Sequence, residues 1–460
     1  GKYEEIYDNF DGTVFNLTLT DGSNWHKRIV SNKEIITELS TGVMFCDDDY
    51  HSKDFILDVT GTHVESFAEP LYDKWLSENK NTVNHMVKEF EMRKSAAEHV
   101  RATVSKTGVL DTVKMNNYRL TDDIFKRVTV LPEGKNHGFI MYLDMSGSMH
   151  EYMHQTVEQL LLLVHFTRQI GVPFRVYGFT DALEGRFPTG RNRGRSNFEP
   201  EEADIVQDNT VLPHSGMRLL ELFTEQMSKS EMLLMSKALL TTYLSRARYL
   251  RASPSIPPEV QFAELYKCDI RILGLGGTPF DSAITIGIGV AKAFRKAHRL
   301  DVLNTIFLTD GASHDMCTGS SSMIPQPNTR NYVTLGFNNK RHRIRNRTDW
   351  TRTVQKLYID ATGSRTIGYM ITPKGVAQVL KNVRYDINGA GLMMGFDEEQ
   401  AIRKDFRKNG FYCSTEGSLD QQYYIPYTLL TAESTALKVN DGATKANIRN
   451  AFRKGMGNQK

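Results

Sequence analysis

Asp144-Met145-Ser146-Gly147-Ser148 puts one carboxylate and two hydroxyls on alternate residues of a short loop. The loop follows an apolar run, Phe139 to Leu143, that reads as a buried strand. Hard oxygen donors packed this closely suit a hard divalent cation, Mg²⁺ ahead of Zn²⁺. Two further segments carry oxygen donors at equivalent places. Thr278 stands behind the glycine pair Gly276-Gly277, and Asp310 ends the apolar run Val302 to Leu308. In a doubly wound parallel sheet the carboxyl ends of the strands open on one crevice, so loops distant in sequence converge there. Ser146, Ser148 and Thr278 would then bind the ion directly, with Asp144 and Asp310 bound directly or through water. One position of an octahedral shell stays open, and a carboxylate from a partner is its natural occupant. Gly147, Gly276 and Gly277 allow close backbone approach at such a crowded place.

The elements that must position these loops are legible as alternating patterns. From His137 the chain reads β-α-β: a strand at Phe139 to Leu143, a helix from Tyr152 to Ile170 closed by Gly171-Val172-Pro173, and a strand from Phe174 to Phe179. Residues 182 to about 268 break the alternation. They open with a Gly/Arg/Asn loop and an acidic patch, and a run from Gly216 to Arg251 reads as a helical insertion. Alternation resumes with a strand at Ile270 to Leu275, a helix at Phe280 to His298 and a strand at Val302 to Leu308. After an excursion over residues 316–350 come a strand at Thr366 to Ile371 and a helix at Pro373 to Val383. Upstream, Phe55 to Val59 reads as a strand. Val83, Met86, Val87 and Phe90 mark one face of a helix running on to Val100. The expected fold class is α/β, a Rossmann-like parallel sheet covered on both faces over residues 131–440 with a helical insertion at about 182–268. A mostly separate α+β region would precede it over residues 1–130, and a basic tail would follow over 441–460.

Bulk composition narrows the function classes. The 460 residues are 40% hydrophobic and 24% charged, enough to bury a sizeable core in two to four domains or one large decorated domain. A formal charge of +3 is close to balance and carries no nucleic-acid signature. Cys46, Cys268, Cys317 and Cys413 are scattered, which fits a reducing, cytoplasmic setting rather than a disulfide framework or a Cys-based zinc site. No apolar stretch is long enough to span a bilayer. There is no signal-peptide pattern, and Gly1 in place of Met reads as a processed or trimmed product.

The set Asp144, Ser146, Ser148, Thr278 and Asp310 resembles the metal-ion-dependent adhesion site of von Willebrand factor A domains, over about His137 to Val383. A narrower resemblance covers Gly108 to Met115, Asp122 to Val130 and the strand into Asp144-Met145-Ser146-Gly147-Ser148. These segments look like the CobT subunit of aerobic cobaltochelatase, and still more like the CobT-like proteins of large tailed phages. The resemblance implies a Mg²⁺-dependent, non-catalytic subunit. Its partner would be an AAA+ ATPase of the MoxR/CobS type that supplies a carboxylate ligand within a ring-shaped remodelling complex. For a phage protein the setting is the host cytoplasm. The long acidic linker usual in cellular CobT proteins is missing here. A virion or assembly component using the same site for static adhesion is a further reading.

A competing motif lies beside the loop. His150-Glu151-Tyr152-Met153-His154 spells H-E-x-x-H, which on one helix would give a zinc peptidase two ligands and a general base. It starts two residues after Ser148 and no third ligand stands out downstream, so the expectation is a rim to the oxygen cluster. The basic run Lys340 to Arg347 reads as a solvated hairpin, with an acidic protein surface as its functional alternative. Gly274 to Thr278 resembles a phosphate cradle but lacks the Lys-Ser/Thr of a P-loop, so no nucleotide site is expected.

Overall fold

A strand that is apolar at nearly every position needs cover on both faces. His137–Asp144 is such a strand, buried from its second residue onward. In the computed structural model it lies at the middle of an eight-stranded, mostly parallel sheet. The structure describes residues 13–19, 25–40, 63–101, 103–110, 125–130, 136–182, 210–213, 216–249, 271–311, 313, 316–318, 331–337, 340–344, 347–372, 376–388 and 395–426.

Within these residues the strands are β1 (Thr13–Leu19), β2 (Ile29–Val30), β3 (Thr103–Leu110), β4 (Phe125–Val130), β5 (His137–Asp144), β6 (Phe174–Thr180), β7 (Thr210–Leu212), β8 (Arg218–Thr224), β9 (Val302–Thr309), β10 (Cys317–Thr318), β11 (Asn331–Phe337), β12 (Lys340–Ile344), β13 (Arg365–Thr372), β14 (Tyr412–Ser414) and β15 (Gln421–Pro426). The helices are α1 (Asn32–Ser40), α2 (His63–Arg101), α3 (Met153–Gln169), α4 (Lys229–Tyr249), α5 (Phe280–His298), α6 (Arg347–Thr362), α7 (Val376–Asn388) and α8 (Phe396–Asn409). The large sheet runs β14-β15-β13-β9-β5-β6-β8-β2. β6, β5, β9, β13 and β15 are mutually parallel, while β8 and β14 pair antiparallel. From β5 the chain winds to β6 on one side and later to β9 on the other. The switch point therefore falls between β5 and β9, where an open α/β sheet binds ligands.

Period-two alternation sorts the core into two layers. Phe139, Met141 and Leu143 face one cluster with α3, α4, and Trp75 and Val83 of α2. Ile140 and Tyr142 face the other with α5, α6 and residues of β1 and β11. Gly287 lets α5 come down on the sheet, because a Cβ there would sit 2.7 Å from the Tyr142 hydroxyl.

Several expectations differ from the structure. The strand expected at Ile270–Leu275 is not found over its described residues, 271–275: a 3₁₀ turn covers Arg271–Leu273, and the loop that follows touches β5's exit through an isolated bridge, Ser146 to Gly276. The lateral positions beside β5 are already taken by β6 and β9, so no ladder slot remains. The run read as helical from Gly216 begins instead with β8, and α4 starts only at Lys229. Leu219, Leu220, Leu222 and Phe223, broken only by Glu221, make a mostly apolar run that periodicity does not distinguish from a buried helix. The N-terminal segment is joined to the rest by backbone pairing. β1 runs parallel to β11, from Thr13 opposite Asn331 to Thr18 opposite Gly336, in a second sheet ordered β10-β7-β1-β11-β12, and β2 extends the large sheet beside β8. The basic run forms β12, antiparallel to β11. Phe55 to Val59 and the tail from 441 lie outside the described residues. Among the described residues, no helix is long and apolar enough to cross a membrane.

Candidate metal centre

The β5 strand ends by delivering Asp144 into a fully buried position. Its Oδ1 accepts the Ser146 backbone N–H at 3.0 Å, closing the turn on itself. Its Oδ2 accepts the Thr309 hydroxyl from the end of β9 at 2.6 Å. The neighbouring strands β5 and β9 are thus tied at their carboxyl ends by the carboxylate the motif supplies.

Ser146 occupies the N-cap of a 3₁₀ turn, Gly147–Glu151, in extended backbone, yet its side chain makes no capping bond. The hydroxyl instead meets the Ser148 Oγ at 3.0 Å, and Ser148 donates to Asp310 Oδ1 at 2.9 Å. A hydrogen-bonded chain therefore runs from Ser146 through Ser148 to Asp310 across two loops. Asp144 is joined to the same turn through the Ser146 backbone.

The loop bearing Thr278 is brought in by backbone. Gly147 N–H donates to the Gly276 carbonyl at 2.7 Å, and Gly276 N–H donates to the Met145 carbonyl at 3.0 Å. Thr278 is buried two residues further on, at the start of α5. Among the described residues no side-chain hydrogen bond joins Thr278 to the other four. Four of the five expected residues thus share one bonded turn-and-loop unit, and the fifth is held beside it through main chain.

The electrostatics are unusual. Burial pushes the Asp144 carboxyl up to about 7, with the Asp310 charge adding to the rise and hydrogen bonds from Thr309 and Ser146 opposing it. Burial also raises the Asp310 pKa, against the Ser148 hydrogen bond. Among the described residues neither carboxylate forms an ion pair. Buried charges are ordinarily paired or bound to metal. The donor set is all oxygen, drawn from hydroxyls and carboxylates, which is the chemistry of a Mg²⁺ site.

Sequence reasoning overlooked two residues. Thr309, the last residue of β9, satisfies Asp144, and only its place just before Asp310 could have marked it. Asp181, just beyond β6, accepts the Gly277 N–H, and its signal was its position at the carboxyl end of a third strand.

The H-E-x-x-H segment does not form one α-helix. His150 lies in the 3₁₀ turn and His154 in α3, with Tyr152 at φ −114°, ψ −10° between them. His154 Nε2 lies 3.6 Å from Glu158 Oε1, a partner one helical turn on. Among the described residues no group of three or more His, Cys, Asp or Glu side chains gathers as a metal site. His150 and His154 thus do not lie on one continuous α-helix, the setting of the zincin motif.

Fold and site together define an α/β protein whose switch-point crevice carries a loop cluster of hydroxyl and carboxylate oxygens. No family model and no curated protein matches the chain. Among solved structures it is similar to the pilus adhesin SpaC of Lactobacillus rhamnosus GG in its open conformation, at 14% identity and a TM-score of 0.30. The match covers 71% of this chain and 30% of the adhesin, so the chain spans less than a third of that protein's length. A likeness this low carries no argument about fold or function.

Proposed function

We propose that the chain is a von Willebrand factor A-type adaptor that binds Mg²⁺ at Asp144, Ser146, Ser148, Thr278 and Asp310. Through that ion it docks on an AAA+ ATPase of the MoxR/CobS type as the CobT-like subunit of a remodelling complex. The reading is supported most by one observation: a buried Asp144 and a half-buried Asp310, joined through the Ser146–Ser148 turn at the switch point, with no protein cation beside them among the described residues. When bound, the ion supplies a Lewis-acidic docking point. Ser146, Ser148 and Thr278 offer hydroxyl oxygens, and Asp144 and Asp310 balance charge. A partner's Asp or Glu completes the shell. His150, on the turn that leaves the loop, stands at the rim where that partner would sit. The ATPase pairing rests on the sequence resemblance, and the metal on the donor set.

Pull-down of a MoxR/CobS-type ATPase by the tagged chain tests the reading. Ser148→Ala is the informative variant, because Ser148 is exposed and its loss leaves the Asp144 contacts to Ser146 and Thr309 in place. The expected result is capture in Mg²⁺ and loss of capture in EDTA and with Ser148→Ala. Capture unchanged by both treatments would overturn the adaptor mechanism.

A further inference from the structure

Among the described residues, Thr278 is the member of the oxygen cluster that no side-chain hydrogen bond ties to the rest, so its place is set by the loop that carries it. The loop that carries it has almost no side chains of its own to hold it: Gly274, Gly276 and Gly277 precede it and Pro279 follows. Glycine loops are conformationally permissive, and a ligand hydroxyl on such a loop is mobile unless the backbone is pinned. Four hydrogen bonds hold it and the helix start behind it. Met145 and Gly147 pair with Gly276 from the β5 side. Asp181, at the carboxyl end of β6, accepts the Gly277 N–H on Oδ1. On the far side of Thr278, the Asp281 N–H donates to Ser313 Oγ at 2.8 Å, joining the start of α5 to the loop beyond Asp310.

The Asp181 contact is a fitted one. A Cβ on Gly276 would fall against the Asp181 carboxylate and 2.5 Å from Ala182 N, so the two loops meet backbone to side chain with no room between them. Asp181 is held in its turn, where the Ala182 N–H donates to Thr180 Oγ1 at 3.1 Å. A third strand end, β6, thus reaches the cluster without contributing any of the five expected ligands.

We infer that Asp181 is a positioning residue for the metal centre: by accepting the Gly277 N–H it holds the Thr278 hydroxyl at the place where the ion binds. The inference rests on the Mg²⁺ reading above and adds to it a residue outside the adhesion-site set. Its role belongs to the acceptor oxygen rather than to the negative charge. Outer-shell groups that orient a ligand change metal affinity by roughly 10–100-fold when removed.

The test is a calorimetric Mn²⁺ titration of the full chain, with Mn²⁺ standing for Mg²⁺, on the wild type, Asp181→Ala, Asp181→Asn, Thr278→Ala and the Asp181→Ala/Thr278→Ala double variant. Melting curves in EDTA are recorded for each. Asp181→Ala is expected to weaken binding about tenfold or more with a melting curve close to wild type. Asp181→Asn, which keeps Oδ1 as an acceptor, is expected to restore most of the affinity. In the Thr278→Ala background, Asp181→Ala is expected to add nothing, because it acts through Thr278. Wild-type affinity in Asp181→Ala would overturn the positioning role and leave the metal site standing. A full second loss in the double variant, or Asp181→Asn as weak as Asp181→Ala, would do the same by assigning the effect to charge. A wild type that binds no Mn²⁺ would overturn the metal reading itself, and this inference with it.

Discussion

Two carboxylate pairs sit at opposite ends of the same sheet and are treated in opposite ways. At the amino end of β6, Glu221 and Glu225 meet basic side chains supplied by the chain. Arg175 Nη1 pairs with Glu221, Arg175 Nε lies 3.5 Å from Glu225, and His298 Nε2 lies 3.3 Å from Glu225. Burial disfavours the Arg175 charge, but Tyr177, Glu221 and Glu225 outweigh it and raise its pKa. At the carboxyl end, Asp144 and Asp310 receive hydroxyls and a backbone N–H but no cation among the described residues. One end carries its own countercharge and the other does not. On the proposed reading, the ion would supply at the carboxyl end the countercharge that Arg175 supplies at the amino end.

The largest effect is expected when the compensated end loses its guanidinium. Arg175→Met leaves the buried Glu221 and the half-buried Glu225 without the guanidinium between them, and breaking such a pair from one side costs about 3 kcal/mol. Urea unfolding should show a lower midpoint at unchanged slope. A stability equal to wild type would mean that the cluster is ornamental and the contrast empty.

At the bare end the sign reverses. Asp144 titrates near 7 in the folded chain, above its unfolded value, so between about pH 4 and pH 7 the folded state holds the extra proton. Metal-free protein should therefore lose stability as pH rises through that window, by at most about 1.4 kcal/mol per pH unit. Asp144→Asn removes this slope, and in EDTA at pH 8 it should be at least as stable as wild type. A metal-free chain that gains stability over the same window through this group would contradict the assignment of Asp144 as an uncompensated acid.

The smallest effect is expected beside the site. His154→Ala removes the contact to Glu158 and His150→Ala alters the rim. Neither should change Mn²⁺ affinity by more than about twofold, since neither imidazole belongs to the oxygen donor set. Zinc bound in equimolar amount and lost with either histidine would restore the peptidase reading.

How much of this was legible in the sequence depended on whether the signal was local. β5, α5 and β9 announce themselves by apolar runs or 3.6-residue periodicity between glycine, proline and polar breaks, and their limits fell within two residues of the expected ones. The candidate site was legible for the same reason, because each of its loops follows directly on one of those elements or on a glycine pair. What escaped was non-local. β8 is apolar on both sides of its backbone, so its pattern alone does not separate strand from helix. The segment before Thr278 looks like a strand but finds both positions beside β5 occupied, a fact of strand order that no window contains. The five-stranded sheet draws β1, β7, β10, β11 and β12 from segments scattered between residues 13 and 344. Thr309 and Asp181 act through partners 165 and 96 residues away, and only the folded chain reveals them.

The most direct test of the central claim is a calorimetric titration of Mn²⁺ into the metal-free chain at pH 8, run beside Asp144→Asn. One ion per chain is expected for the wild type. For the variant the expected affinity is lower by at least roughly 100-fold, the upper end of what losing even an outer-shell partner costs, with stability in EDTA undiminished. A wild type that takes up no ion, or a variant that binds as tightly as the wild type, would contradict the central claim.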